Sequence, residues 1–355
     1  MVQKKLFFFK QNIKRYHPLY RVVRLKLKSL LIFVFFPCLL GNAMLSQAQC
    51  PCADADNGWE ILADIPHPQI GCSGAVLDNK LHIIGGVTLE GGASNLHQVY
   101  DPATNSWSEQ APLPDQAGWP AIAVYNGRIY IFGGDNKGVD VRQTDRSFRY
   151  DPVKDAWTEI APLPTPRSYA AATAVGEFIY IYGARTKLLD TADLSTYRYD
   201  PEDNTYTRMA DLPEAARFIT QGYYNGKIYV IHGETYKNIM ADGVLEYDIV
   251  HDSWKKLNIP RIIKVKWTLT QQSSDVTLGT MIFVAGGKPP EDKRSSIVTY
   301  FDMQSKMFGQ IKPLPEGRCC GAGGFINGTL YLAGGFWEKT NDVVTCKVTW
   351  GCKVQ

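Results

Sequence analysis

The chain has 355 residues with 38 basic and 35 acidic side chains, a formal net charge of +3. Nine of the basic side chains and none of the acidic ones lie in the segment 1–48, so the segment 49–355 carries 29 basic against 35 acidic side chains, a net charge of −6. Proteins that bind nucleic acid usually cluster Lys and Arg on one face. The composition therefore argues against a nucleic-acid partner.

The segment 1–48 has the pattern of a signal peptide. A long basic stretch precedes an eleven-residue apolar run from Leu30 to Leu40, and Ser46 and Ala48 form a small-x-small cleavage site. The apolar run is too short to span a bilayer as a helix. We expect the segment 1–48 to be removed, which leaves a secreted or periplasmic protein without a membrane span.

One motif then recurs six times, a run of alternating bulky residues that ends in two glycines or a close variant. The six copies are "LHIIGGV", "RIYIFGGD", "FIYIYGAR", "KIYVIHGE", "MIFVAGGK" and "TLYLAGGF", and their first dyad positions are Gly85, Gly133, Gly183, His232, Gly286 and Gly334. Adjacent glycines lose packing and backbone entropy, so they are tolerated mainly where the chain bends sharply or another backbone comes close. Recurrence at nearly equal intervals predicts one structural unit per repeat.

An aromatic pair follows each of the first five dyads, with the second aromatic seven positions after the first across an Asp-Pro-like turn. The pairs are Tyr100/Trp107, Tyr150/Trp157, Tyr199/Tyr206, Tyr247/Trp254 and Phe301/Phe308. Each repeat is therefore predicted to contain four short strands. They are a small-residue strand, the dyad strand, a strand ending in the first aromatic and a strand opened by the second.

The double glycine, the Tyr and the Trp seven positions later resemble the kelch repeat over about residues 57–350. This resemblance implies an all-β fold, a six-bladed kelch β-propeller over residues 49–355, with one four-stranded blade per repeat. The sixth repeat ends before a fourth strand, whereas "GWEILADIP" at residues 58–66 has the form of a fourth strand without a repeat in front of it. We expect the strand of Trp59 to pair with the strand around Val344 and to close the ring, which removes a free edge.

Cysteines are expected to form disulfides in an exported protein. Seven follow the leader: Cys50, Cys52, Cys72, Cys319, Cys320, Cys346 and Cys352. The first two precede the closing strand and the last two lie on and after its expected neighbour, so we predict at least one bridge between these two groups. Cys72 and the Cys319/Cys320 pair begin adjacent inner strands, and a vicinal bridge between Cys319 and Cys320 stays open. The histidines show no metal-ligand spacing with the cysteines, and neither a metal nor a cofactor is predicted.

Charged residues occupy two repeated positions that symmetry places around the mouth of the channel. One position directly follows the dyad and holds Arg185 and Glu234. The other lies in the loop entering the inner strand and holds Arg167, Arg217 and Arg318. We predict that these three arginines and Arg185 bind the ligand. Guanidinium groups bind carboxylate or sulfate through paired N–H donors. The alternative that these arginines only bond neighbouring loop carbonyls stays open.

Within the kelch class the chain is similar to the bacterial N-acetylneuraminate epimerases, which are sialic acid mutarotases. The motifs "HGE" and "EGRCCGAGGF" carry this resemblance, which implies Glu234 and Arg318 as catalytic residues of a cofactor-free ring opening. Two functions therefore remain open. The favoured one is a monomeric recognition module that binds an acidic glycan or protein segment at one face, because binding is the broader use of this fold; the alternative is a sugar mutarotase.

Overall fold

The computed structural model describes residues 59–88, 92–137, 142–184, 193–235, 239–266, 268–290, 294–336 and 343–347. Every regular element within these ranges is a β-strand, as the alternating bulky residues predict. The strands form six antiparallel sheets of four strands each.

Five of the six sheets, numbered here in chain order, consist of consecutive strands, and the first four of these have a full-length inner strand. Sheet 1 contains β2 (Ser73–Leu77), β3 (Lys80–Ile84), β4 (His97–Asp101) and β5 (Ser106–Glu109). Sheet 2 contains β6 (Ala121–Tyr125), β7 (Arg128–Phe132), β8 (Ser147–Asp151) and β9 (Ala156–Ile160). Sheet 3 contains β10 (Ala171–Val175), β11 (Phe178–Tyr182), β12 (Thr196–Asp200) and β13 (Thr205–Met209). Sheet 4 contains β14 (Arg217–Tyr224), β15 (Lys227–Glu234), β16 (Val244–Asp248) and β17 (Ser253–Leu257).

The last two sheets depart from this regular form. Sheet 5 contains β18 (Thr277–Leu278), β19 (Met281–Ala285), β20 (Val298–Asp302) and β21 (Met307–Ile311), so its inner strand is very short. Sheet 6 contains β22 (Cys319–Ile326), β23 (Thr329–Phe336), β24 (Val343–Lys347) and, from the other end of the chain, β1 (Trp59–Leu62). In β1, Trp59 pairs with Cys346 and Ile61 with Val344. The predicted closing strand is confirmed.

The sheets have a propeller arrangement, as the sequence predicts. Their inner sides contact each other in a cycle: β22 with β2, β2 with β6, β6 with β10, β10 with β14, β14 with β19, and β18 with β22. Six buried apolar clusters lie between neighbouring sheets, one in each seam of this cycle. Packing between faces of adjacent sheets therefore supplies the core.

The glycine dyads are required where neighbouring sheets meet. Gly133 has φ +65°, and a Cβ on it would lie 2.3 Å from the carbonyl oxygen of Arg167 in the loop before sheet 3. The next dyad residue, Gly134, donates its N–H to that same oxygen at 2.8 Å. Gly286 and Gly287 repeat this geometry against the carbonyl oxygen of Arg318. Only a residue without a side chain allows so close an approach.

A second repeated device joins the outer parts of the sheets. In the seam between sheets 1 and 2, Asp155 lies at φ +45° in a hairpin turn, and its Oδ1 accepts both the Tyr150 hydroxyl at 2.7 Å and the Ala111 N–H at 2.9 Å. Trp157 donates its indole N–H to the Ala111 carbonyl oxygen at 2.8 Å. We call this arrangement the turn latch. Corresponding side-chain oxygens accept the same pair of donors in three other seams, from Asn105, Asn204 and Asp252.

A segment of sheet 5 leaves its sheet and crosses the centre of the molecule. The Gly74 N–H of sheet 1 donates to the Gln272 carbonyl oxygen at 3.1 Å, and Gln272 donates its own N–H to Ile219 of sheet 4 at 3.0 Å. The Phe325 N–H of sheet 6 donates to the Asp275 carbonyl oxygen at 2.8 Å. Because residues 272–275 bond to three other inner strands, they fill part of the central channel.

Candidate functional site

The two repeated positions proposed for the site lie opposite each other at the same ends of the sheets. Arg217 and Glu234 are cross-strand partners at the end of sheet 4, and Cys319 pairs with Phe336 at the corresponding end of sheet 6. Gly118 forms the equivalent isolated bridge with Asp135 in sheet 2. Repeat symmetry therefore gathers these positions around one mouth of the propeller.

A buried carboxylate joins two cations at this mouth. Glu234, whose residue is 2% exposed, accepts Arg217 Nη2 at 2.8 Å and also forms an ion pair with Lys266 Nζ. Both cations are more accessible than the carboxylate, with side chains 14% and 20% exposed. Two cations thus share the carboxylate of Glu234, and both have part of their surface on the solvent side.

More cations continue around the mouth onto sheet 5 and the loop before sheet 6. The backbones of Lys266 and Lys288 bond to each other in both directions, at 2.6 and 3.1 Å. Lys288 and Arg294 both act electrostatically on the Cys319 thiol, and a Cβ on Gly317 would lie 2.2 Å from the Arg294 carbonyl oxygen. We call Arg217, Glu234, Lys266, Lys288 and Arg294 the charged arc. It contains four cations and one carboxylate, carried by sheets 4 and 5 and their connecting segments.

An aromatic cluster lies on the side of the mouth formed by sheets 2, 3 and 4, next to the buried Asp135 of sheet 2. Trp119, Tyr169 and Phe218 occupy equivalent positions where the chain enters sheets 2, 3 and 4, all with positive φ, and Phe218 is the second residue of β14. Their rings contact in series, with centroid distances of 4.9 Å between Trp119 and Tyr169 and between Tyr169 and Phe218. Val87 completes this buried cluster, and the Arg217 guanidinium lies over the Phe218 ring at 5.7 Å. The apolar cluster and the charged arc are therefore contiguous.

Arg318 lies at the predicted mouth but makes a different contribution from Arg217. Its backbone holds the seam between sheets 5 and 6, and its side chain borders a small cavity of about 50 Å³ whose other lining residues include Leu269, Leu314 and Leu332. The Glu234 ion pairs described above are made by Arg217 and Lys266. Glu234 therefore has a cation partner, Lys266, that sequence reasoning did not assign to it.

Arg167 has a structural environment that contrasts with its predicted ligand role. Its side chain is fully buried, donates to Asp193 Oδ2 at 2.9 Å and to Ser195 Oγ at 2.7 Å, and lies 5.0 Å from the Tyr197 ring. Burial lowers the pKa of Arg167, and the Asp193 carboxylate opposes this shift. The open alternative, an arginine that bonds its own loops, describes these contacts. The fourth predicted arginine, Arg185, lies outside the described residues.

Two residues that sequence reasoning missed lie on either side of the fifth dyad. Lys266 precedes the fifth dyad by twenty positions, outside both repeated rim positions, and the available signal was the interval from His232 to Gly286, which is longer than the other intervals between dyads. Arg294 follows the same dyad at a position that Ala93 and Gln143 occupy in other repeats, so it was missed because the connecting segments were not compared. Within the described residues, no group of three or more His, Cys, Asp or Glu side chains is arranged to hold a metal ion.

The described cysteines hold free thiols. Cys72, Cys319 and Cys320 are all buried, and no disulfide joins them. Cys72 packs as an apolar side chain in the cluster between sheets 6 and 1, where burial raises the pKa of its thiol to about 12. The structure therefore contains neither a disulfide between Cys72 and the Cys319/Cys320 pair nor a vicinal disulfide between Cys319 and Cys320. Cys50, Cys52 and Cys352 lie outside the described residues, and Cys346 is described only through its backbone pairing, so the predicted bridge between the chain ends stays a prediction.

Comparison with known proteins identifies the class. A family model described as the KLHDC2/KLHL20/DRC7 Kelch-repeats domain matches residues 71–270. This match covers more than half of the chain, and the protein belongs to the kelch-repeat family.

Particular relatives match over short segments. The chain is 35% identical over 78 residues to Kelch-like protein 23 of Pongo abelii, 34% over 84 residues to alpha-scruin of Limulus polyphemus, and 34% over 76 residues to spermatocyte protein spe-26 of Caenorhabditis elegans. These segments cover 22, 22 and 20% of this chain but only 13, 9 and 13% of the relatives. The chain thus corresponds to a small part of each of these longer proteins.

A solved structure resembles the whole ring. The structure of YjhT superposes with a TM-score of 0.65 at 16% identity, covering 80% of this chain and 96% of that chain. This likeness supports the fold. A search of the described residues for helices found none with the length and apolar character that crossing a membrane requires.

Proposed function

We propose that the six sheets are the blades of one closed ring, and that this ring is an exported recognition module for an acidic ligand. The single observation that carries the proposal is the charged arc, in which four cations and one carboxylate meet at the mouth. The ligand is an acidic glycan or an acidic protein segment. We favour a binding role because kelch propellers generally bind protein partners.

The arrangement of the arc suits exchange of one carboxylate for another. Glu234 holds Arg217 and Lys266 in place while no ligand is bound, and the partly exposed faces of both cations attract an incoming anion. A ligand carboxylate binds a guanidinium through paired, charge-assisted hydrogen bonds. The adjoining rings of Trp119, Tyr169 and Phe218 give the same mouth an apolar side against which a sugar ring or an aliphatic side chain packs.

Calorimetric titration tests this proposal with matched charged and neutral probes. N-acetylneuraminate, glucuronate and a hexaglutamate peptide serve as acidic probes, with N-acetylglucosamine, glucose and a hexaglutamine peptide as neutral ones. We expect binding of at least one acidic probe, weakening as salt rises, and no binding of its neutral counterpart. Binding of neutral probes with equal affinity would contradict the proposal.

Variants locate the site. Arg217→Gln and Lys266→Gln should each weaken binding of the acidic probe by about ten- to a hundredfold, since a hydrogen bond to a charged group contributes roughly 1.5–3 kcal/mol. The matched control is Arg208→Gln, because Arg208 lies on the outer strand β13 and pairs there with Asp211 through an exposed contact. Equal affinity in all three variants would place the ligand elsewhere.

Export and the monomeric state are further parts of the proposal and rest on the leader sequence and on closure of the ring. N-terminal sequencing of protein recovered outside the cytoplasm should begin at Gln49, and sedimentation should give the mass of one chain. Retention of the basic leader in the mature protein would contradict export through cleavage.

A second candidate function is a cofactor-free sugar mutarotase, and the position of Glu234 at the mouth favours it. In that reaction Glu234 moves a proton between the anomeric hydroxyl and the ring oxygen, while cations including Arg318 hold the substrate carboxylate. One positioned general acid or base contributes roughly 10²–10⁴-fold.

The rate of anomer exchange separates the two candidates. NMR exchange measurements on N-acetylneuraminate should show acceleration by the wild type that Glu234→Gln abolishes if the protein is a mutarotase. For the recognition module we expect no acceleration, and Glu234→Gln should retain or strengthen binding of an acidic probe, because the variant removes the internal competitor for Arg217 and Lys266.

A further inference from the structure

Two adjacent thiols lie next to the charged arc, and neither proposed function uses them. Cys319 and Cys320 begin β22, and their sulfur atoms are 3.2 Å apart, within the distance of a thiol hydrogen bond. Both side chains are shielded from bulk solvent, with residue exposures of 1% and 7%. Large reagents therefore have little access, whereas a small neutral molecule needs only a narrow path.

The surroundings make the two sulfurs unequal. The hydrogen bond from Cys320 lowers the pKa of the Cys319 thiol, burial opposes this effect, and the charges of Arg294 and Lys288 add to the lowering. The same hydrogen bond, together with burial, raises the pKa of Cys320. A thiolate is the reactive form of cysteine, so Cys319 is suited to attack and Cys320 to act as the proton-bearing partner.

We propose that Cys319 and Cys320 form a peroxide-reactive pair that closes into a reversible vicinal disulfide. The Cys319 thiolate attacks one oxygen of hydrogen peroxide, the O–O bond breaks, and the leaving hydroxide takes up a proton to become water. Cys319 becomes a sulfenic acid. The Cys320 sulfur then attacks the Cys319 sulfur, the S–O bond breaks, and the hydroxyl leaves as water with the Cys320 proton. Two thiols and one peroxide give one disulfide and two waters.

Chain geometry makes this bond a reversible one. Adjacent Cα atoms across a trans peptide are about 3.8 Å apart, whereas disulfides usually join Cα atoms about 4.4–6.8 Å apart. A bridge between neighbours is therefore strained, and strained disulfides are reduced more readily than structural ones. Cys320 already has a left-handed backbone, with φ +66°, at the entry to the strand. The pair thus fits a redox-responsive site better than a permanent crosslink.

Peptide mapping of the wild-type protein tests the proposal directly. Brief treatment with hydrogen peroxide at neutral pH, followed by alkylation under denaturing conditions, should give a peptide containing Cys319 and Cys320 that has lost two hydrogen atoms and resists alkylation. Dithiothreitol should restore both thiols. Cys72, whose thiol is fully buried with a pKa raised to about 12, should stay reduced and serves as the internal control.

Variants assign the order of the two steps. In Cys320→Ser, peroxide should leave Cys319 as a sulfenic acid that dimedone traps, whereas Cys319→Ser should give no trapped sulfenic acid at Cys320. Arg294→Gln should slow disulfide formation about tenfold, the change expected for one unit in thiol pKa. Arg208→Gln is again the control and should react at the wild-type rate.

Three results would overturn the proposal. One is a wild-type pair that stays fully reduced under this treatment. The second is conversion of both residues to sulfonic acid without an intermediate bridge. The third is a bridge that dithiothreitol cannot open in the folded protein. Because mapping of the wild type needs no substitution, loss of folding in a variant does not affect these outcomes, and none of them depends on the ligand proposed for the mouth.

Discussion

The seam between sheets 1 and 2 and the seam between sheets 4 and 5 connect equivalent strands by different means. In the first, Asp155 and Trp157 form the turn latch, and a glycine dyad meets the next backbone directly. In the second, Phe301 and Lys306 occupy the corresponding hairpin, and neither side chain can supply the hydroxyl donor and the oxygen acceptor of the latch. Lys306 instead forms an ion pair with Glu246 of sheet 4 at 2.8 Å.

The inner part of the two seams differs in the same way. Glycine is replaced by His232 at the fourth dyad, and a Cβ on the following Gly233 would lie 2.8 Å from the Cα of Lys266. Lys266 then pairs with Glu234 across the seam. A repeat position that must pack identically in every sheet leaves little freedom for a binding group. In the irregular seam, between sheets 4 and 5, ion pairs replace the repeated hydrogen bonds. The candidate site lies at this seam.

The largest difference in stability between the two seams should appear when Trp157 of the regular seam is removed. Trp157→Ala should lower the free energy of unfolding by about 3–5 kcal/mol, because it deletes a packed indole and its hydrogen bond to Ala111. Denaturant unfolding measures this change. Binding of an acidic ligand, once corrected for the folded fraction, should be unchanged. A variant with wild-type stability and lost binding would show that the seam and the mouth have been assigned the wrong roles.

Acid should weaken the regular seam before the irregular one. His97 packs on Tyr150 and Trp157, and its Nε2 lies 2.8 Å from Nδ1 of His82. Burial, helped by the charge of Lys80, lowers the pKa of His82 to about 4. Burial and the charge of His82 lower the pKa of His97 to about 3, although the charge of Asp155 opposes that shift. The folded protein therefore keeps both imidazoles neutral where the unfolded chain takes up protons.

The sign of the pH dependence follows from these lowered values. Stability from the neutral pair is fully present above pH 6.5 and should fall, by on the order of 3 kcal/mol for each imidazole, as the pH decreases toward 4. Unfolding curves at several pH values measure the loss, and NMR of the imidazole protons should show no titration of either ring near pH 6.5. The irregular seam should respond at lower pH. In that seam burial raises the pKa of the Glu246 carboxyl, but hydrogen bonds from Lys306 and Lys227 outweigh burial and hold this pKa below its usual value. Ordinary titration of His97 near pH 6.5 would contradict this account.

The turn residue should contribute less than the tryptophan. Asp155→Ala removes the acceptor shared by the Tyr150 hydroxyl and the Ala111 N–H, so we expect a loss of about 1–3 kcal/mol in unfolding free energy. Asp155→Asn keeps the oxygen and the left-handed preference, as Asn105 and Asn204 do in other seams. That variant should retain most of the stability. If the Ala and Asn variants are equally destabilised, the latch does not depend on the side-chain oxygen.

Features that repeat could be predicted from the sequence, because each copy confirms the others. The dyads, the aromatic pairs and the missing fourth strand together predicted the propeller and the pairing of Trp59's strand. The ligand roles of the rim residues stay a prediction, but their contacts differ. Glu234 and Arg217 came from repeated rim positions and pair with each other, whereas Arg167 came from the same signal and bonds its own loops. Lys266 lies in the extra residues of one repeat, where periodicity gives no information on which side chains a loop brings together.

The smallest expected effect comes from building the regular latch into the irregular seam. Phe301→Tyr adds a hydroxyl at the position of Tyr150, and Lys306→Asn adds an acceptor at the position of Asp155; φ at residue 306 is already +58°, which suits Asn. The double variant should gain about 1 kcal/mol from the new hydrogen bond. It also removes Lys306 from the buried Glu246 carboxylate, which offsets part of this gain, although Glu246 keeps Lys227 at 2.9 Å.

A double-mutant cycle isolates the new bond from these other changes. Phe301→Tyr alone buries a hydroxyl without the latch acceptor, and Lys306→Asn alone removes one cation partner of the buried Glu246, so each single variant should be destabilising. The two together should be more stable than the sum of the single changes, with a coupling of about 1 kcal/mol in the unfolding free energy. Strictly additive effects would mean that the strands of this seam are too far from the regular geometry to accept the latch. The irregularity would then lie in the backbone around Lys306 and not only in its side chains.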